Sequence, residues 1–184
     1  MKRALFLLLL TMGMAHANPN TSSADELDAL LAERGLVAKF SKISKDVTDQ
    51  ASDLVVNAMG HLGMPYRRGG NGESGFDCSG FVRAMYENTL GLVLPHNAKA
   101  QAAVTEKIDR SELQPGDLVF YNTLRKAFSH VGIYIGDGKF IHSPRSGGQV
   151  RIEDMSDTYW VKRFNGARRV NPDTLASSNP RNAR

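Results

Sequence analysis

Ser129 to Ser143 reads SHVGIYIGDGKFIHS, two short apolar runs set around Gly136, Asp137 and Gly138. Runs of this length, rich in Val, Ile, Tyr and Phe and broken by Gly and Asp, predict a pair of β-strands joined by a tight turn. Each arm carries a histidine, His130 and His142. A three-residue loop from Gly136 to Gly138 sets Ile135 opposite Lys139, and therefore Gly132 opposite His142. His130 and His142 are then diagonal neighbours on one face, about 7 to 8 Å apart between backbones. A two-residue loop puts them on opposite faces.

Strand signals continue on both sides of this stretch. Upstream, LQPGDLVFY (113–121) places a Pro-Gly-Asp turn before a strand from Leu118 to Tyr121. Downstream, QVRIE (149–153) and YWVKRFNGARRV (159–170) predict further strands, the second turning at Asn165 and Gly166. The first half of the chain has helical periodicity instead. Ser23 and Glu26 have capping-box spacing before an apolar face of Leu27, Leu30 and Leu31, with Gly35 as terminator. A second helix is predicted from about Val47 to Leu62, where His61 complements the helix dipole. A third follows the Gly-rich loop GMPYRRGGNGESGFD (63–77), with Phe81, Val82, Met85 and Tyr86 on one face and Gly91 as its end. Helices first and strands afterwards predict an α+β domain with an antiparallel sheet. The polar tail, 171–184, is predicted to be disordered. There is no internal repeat and no sign of a second domain.

The chain opens MKRALFLLLLTMGMAHANP, with Lys2 and Arg3 ahead of an apolar run and small residues at Ala15 and Ala17. That pattern predicts an export signal, residues 1–17, cleaved near Ala17. The run is too short for a stable membrane anchor, and no cysteine near the cut offers a site for lipid attachment. Loss of 17 residues from 184 leaves 167, enough for one domain, and loss of Lys2 and Arg3 takes the formal charge from +4 to +2. No basic block with interleaved aromatics argues for nucleic acid. The composition leaves the oligomeric state open.

An exported chain normally pairs its cysteines, yet Cys78 is alone. It falls in GFDCSGFVRAMYE (75–87), where Asp77 is placed to cap the third helix and Cys78 occupies its first turn. Unpaired backbone amides and the positive end of the dipole favour a thiolate there. A cysteine nucleophile needs a base and a group that orients the base, and His130 and His142 supply two imidazoles. A Cys/His/His zinc site is the chemical alternative, although the spacing has no C-x-x-C or H-x-x-x-H pattern.

The ordered set GMPYRRGG, FDCSGFV, LQPGDLVFY and SHVGIYIGDGKFIHS resembles the NlpC-type family of bacterial cell-wall cysteine peptidases over about Val47 to Val170. The resemblance implies a papain-like α+β fold, with N-terminal helices packed on an antiparallel sheet and the nucleophile at a helix N-terminus. It implies hydrolysis of peptidoglycan stems, commonly at the γ-D-glutamyl to diaminopimelate bond or at diaminopimelate-containing cross-links, with no metal or organic cofactor. By the same resemblance Cys78 corresponds to the nucleophile, His130 to the general base and His142 to its orienter. Tyr66 and Asp77 match positions that line the site near the substrate. The chain departs from the family's Leu-Pro-Arg pattern at LPHNAKAQ (94–101), where His96 and Asn97 bear on substrate choice while Pro95 and Gln101 conform. Rival readings are a thiol-dependent acyltransferase or amidase acting on another substrate, and a wall-binding module without catalysis.

Overall fold

The structure, a computed structural model, describes residues 36–123 and 126–178. By its contacts the chain divides into two units, residues 1–44 and 45–184. Of the first, the described part is the opening of helix α1, Leu36–Met59. The expected export signal and the Ser23–Gly35 helix lie outside the described residues. Helix α1 starts well before the predicted Val47, because LVAKFSKISKD (36–46) has neither Gly nor Pro to interrupt it. Gly60 ends it before the predicted Leu62, and His61 Nδ1 lies 2.9 Å from the orphan carbonyl of Asn57.

The second unit is α+β. After α1 come a two-strand ribbon, β1 (Asn71–Gly72) and β2 (Gly75–Phe76), helix α2 (Cys78–Leu90) and helix α3 (Ala98–Ala103). Strands β3 (Glu106–Ile108), β4 (Leu118–Tyr121), β5 (His130–Gly136), β6 (Lys139–His142), β7 (Arg151–Asp154) and β8 (Phe164–Arg169) follow. A one-turn helix α4 (Thr158–Val161) interrupts them, and α5 (Pro172–Ser178) comes last. The six strands form one antiparallel sheet in the order β3-β8-β4-β5-β6-β7.

The alternation of side chains along the strands gives the sheet two apolar faces. Leu118, Phe120, Val131, Ile133 and Ile141 bury against Leu54 and Ala58 of α1 and Phe81, Val82 and Met85 of α2. Val119, Tyr121 and Phe140 bury on the other face with Met155 and Trp160. The two histidines share this second face, since His130 pairs with Tyr121 across β4 and β5.

Four further expectations are corrected. Tyr159-Trp160-Val161 is not strand but lies in the one-turn helix α4. The hairpin loop is Asp137-Gly138, not three residues: Gly136 pairs with Lys139, and both loop residues have positive φ (50° and 69°), as a type I′ turn requires. A bulge at Ile135 then shifts the register, so that Tyr134 pairs with Phe140 and Ile133 with Ile141. Bulge and short loop together place Gly132 opposite His142, the register that the longer loop predicted. Asn165-Gly166 is not a turn but the bulge of β8, with Phe120 facing Gly166 and Tyr121 facing Phe164. Asn165 Oδ1 accepts from Phe128 N at 2.7 Å, which fixes the bulge. Lastly, part of the tail is ordered: Asn171 Oδ1 accepts from Asp173 N at 3.0 Å and Pro172 occupies the first helical position, a start signal that opens α5.

Candidate active site

Helix α2 begins at Cys78 because Asp77 caps it. The Asp77 carboxylate accepts from Gly80 N (2.7 Å), Ser79 Oγ (3.1 Å) and Gly69 N (3.0 Å). Its capping role is therefore fully formed, and the last of these bonds draws the Gly-rich loop onto the helix start. Gly80 allows that approach, since a Cβ there would lie 2.0 Å from Gly70 O and 2.8 Å from His96 Nε2. His96 Nε2 stands 3.5 Å from Asp77 Oδ1, beside the first turn of α2. Asn97 serves the fold, accepting from Ala100 N to cap α3. Buried Gln101 bridges the two helices by donating to Ser79 O (2.9 Å) and Pro95 O (2.8 Å).

Helix α2 packs on β5. The thiol of Cys78 feels the backbone N–H of Val131, the residue that follows His130. A second tie comes from the residue after β6, where buried Ser143 Oγ donates to Phe76 O at 2.7 Å, two residues before the thiol. The two histidines meet directly: His130 Nε2 lies 2.6 Å from His142 Nδ1, with the rings edge to face. Gly132 makes room for this pair, because a Cβ there would lie 2.7 Å from Phe140 Cδ2 and 3.2 Å from His142 Cβ. Tyr66 is half-buried, and its phenol is pushed upward by burial first and then by Cys78 and Asp77, so it lies within electrostatic reach of both. Tyr66, Arg67, Gly148, Gln149 and Arg151 line an open groove of about 620 Å³.

Two contributors escaped the sequence reading. Trp160, the single tryptophan, stacks near His130 (5.9 Å between centroids) and meets His142 edge-on (5.2 Å), which seals the pair from water. Its Tyr-Trp-Val context reads as a strand; its uniqueness was the available signal. Glu153 places Oε1 3.9 Å from His142 Nε2, an ion-pair distance longer than a hydrogen bond.

Burial dominates the electrostatics. It holds His130 well below the ordinary imidazole value, with His142 and Arg151 adding to the effect. It also lowers His142, against an opposing pull from Glu153. Burial first, then the Asp77 charge, push the Cys78 thiol up to about 11, against the backbone N–H groups of Val131, Ser79 and Cys78. The helix-start amides thus act in the expected direction, but desolvation outweighs them. Both shifts favour the uncharged forms, a thiol at Cys78 and a neutral imidazole at His130. Among the described residues, no group of three or more His, Cys, Asp and Glu is placed to hold a metal ion.

This arrangement, a thiol at a capped helix start against a strand that carries a buried histidine pair, has relatives. The NlpC/P60 family matches residues 63–169. Murein DD-endopeptidase MepH of Escherichia coli (strain K12) is 36% identical over 177 residues, covering 87% of this chain and 65% of that protein. Gamma-DL-glutamyl hydrolase of Bacillus subtilis (strain 168) is 39% identical over 141 residues, 76% of this chain and 34% of that protein. The chain therefore spans less than two thirds of the length of either. The crystal structure of an NlpC/P60 family protein from Bacillus cereus superposes with a TM-score of 0.62 at 37% identity, covering 66% of this chain and 40% of that one. The chain belongs to the NlpC/P60 family.

Proposed function

We propose that this chain is an exported cysteine peptidase that hydrolyses amide bonds in the peptide stems or cross-links of peptidoglycan. The observation that carries the reading is the 2.6 Å contact of His130 Nε2 with His142 Nδ1, on strands tied to the segment that starts at Cys78. With Nε2 occupied, Nδ1 is the His130 nitrogen that serves the thiol. It takes the thiol proton as sulfur attacks the carbonyl, then gives that proton to the leaving amine. The Cys78 backbone N–H, at the first helical position, has no intrahelical acceptor and is available to the oxyanion. Water then cleaves the thioester and restores the enzyme. Tyr66 and Asp77 border the substrate, and Arg67 and Arg151 in the groove suit the carboxylates of an acidic peptide.

Residues 1–17 direct export, and the product works in the periplasm or outside the cell. Among the described residues no helix is long and apolar enough to cross a membrane. The two relatives are named for different bonds, so product masses decide between them. Incubation with purified peptidoglycan and mass analysis of the soluble products should show hydrolysed stem peptides. A transferred acyl group, or no release at all, would overturn the reading.

A further inference from the structure

Glu153 on β7 faces Phe140 across β6, which places it diagonal to His142 on the same face of the sheet. His142 Nε2 is buried without a hydrogen-bond partner, and the Glu153 carboxylate stands 3.9 Å from it. The other groups acting on that carboxylate are Arg151, at 2.6 Å through Nε and Nη2, and the side chain of Trp160. The carboxylate is therefore fixed in front of the ring by its own strand and by α4.

A neutral histidine pair joined by one hydrogen bond has two tautomeric arrangements. In the first, His142 carries its proton on Nδ1 and donates to His130 Nε2, so the His130 proton sits on Nδ1 and no lone pair is left for the thiol. In the second, His142 carries its proton on Nε2, its Nδ1 accepts from His130 Nε2–H, and the His130 Nδ1 lone pair is free. The first turns a lone pair toward the Glu153 carboxylate, and the second turns an N–H toward it. We propose that Glu153 is a positioning residue that selects the second arrangement, so that His130 Nδ1 is the base for Cys78. This rests on the cysteine-peptidase reading above. Only the thiol proton moves, to His130 Nδ1 and then to the leaving amine; His142 keeps its Nε2 proton and Glu153 stays ionised.

The test is ¹⁵N-histidine NMR on the full chain at neutral pH, which distinguishes the two ring tautomers. His130 and His142 should both be Nε2–H in the wild type. Glu153→Leu, which removes both the charge and the acceptor, should move His142 toward Nδ1–H and lower kcat on a soluble muropeptide about 10- to 100-fold, part of the roughly 10²- to 10⁴-fold that a general base supplies, with KM unchanged. A wild-type His142 protonated at Nδ1 overturns the proposal however any variant folds. So does a folded Glu153→Leu protein whose tautomers or kcat are unchanged. Failure of the peptidase reading looks different: hydrolysis would survive Cys78→Ala while the tautomers stood as stated.

Discussion

At Cys78 two local fields oppose each other. Backbone N–H groups stabilise a thiolate, while burial and the Asp77 carboxylate favour the thiol and hold it at about 11. Burial pushes His130 toward its neutral form as well, so both shifts oppose a preformed thiolate and imidazolium. Iodoacetamide alkylation of the folded chain should therefore have a pH midpoint above the free-thiol value of about 8.5. Asp77→Asn keeps an oxygen to cap Gly80 N but removes the charge, so its midpoint should lie lower than the wild type's. A wild-type midpoint near neutrality would instead indicate a preformed thiolate and imidazolium. The contact of His130 with His142 and the place of Cys78 at a capped helix start are legible from residue type and spacing. The sign of the thiol's shift is not, because it depends on how deeply the helix start is buried, and sequence shows the cap but not the cover.

The β5–β6 hairpin sets the geometry of the histidine pair. Without the Ile135 bulge, the Asp137-Gly138 turn would pair His142 with Ile133 and turn its ring to the other face. The sequence showed a Gly-Asp-Gly turn and two strands; the compensation between a shorter loop and a bulge is a tertiary matter. Trp160 and Asn165 were misread for a related reason: aromatic and β-branched residues suit a strand, and Asn-Gly suits a turn, until sheet register overrides both. Gly132→Ala tests the element directly. Its new methyl would press on Phe140 and His142, and overpacking of this kind costs about 1–3 kcal/mol. A lower urea midpoint together with a reduced kcat is expected. A variant as stable and active as the wild type would show that β6 yields without moving His142.

At the scale of the whole molecule, the buried histidines make the fold acid-sensitive. His130 and His142 have folded pKa values below the unfolded value of about 6.5. Above that pH neither state binds these protons. Below it the unfolded chain binds protons that the folded chain refuses, so stability falls as pH falls. Glu153, held at about 2, contributes stability above its unfolded value, and that contribution is lost as pH falls toward 2. The thermal midpoint should be level between about pH 7 and pH 8 and drop once pH passes below about 6.5. A midpoint unchanged down to about pH 5 would mean that the pair accepts a proton in the folded state. The α+β class and the strands β4 to β6 follow from periodicity, and Leu36, Phe40 and Ile43 carry the apolar stripe of α1 back from Val47, so its early start is legible as well; α5 has a single large apolar residue, Leu175, and only Pro172 to mark it. Whether Cys78 is the nucleophile is decided by incubating wild type and Cys78→Ala, each checked for an unchanged circular dichroism spectrum, with purified peptidoglycan. Stem peptides should be released by the wild type and none by Cys78→Ala; release by the folded variant at the wild-type rate would show that Cys78 is not the nucleophile.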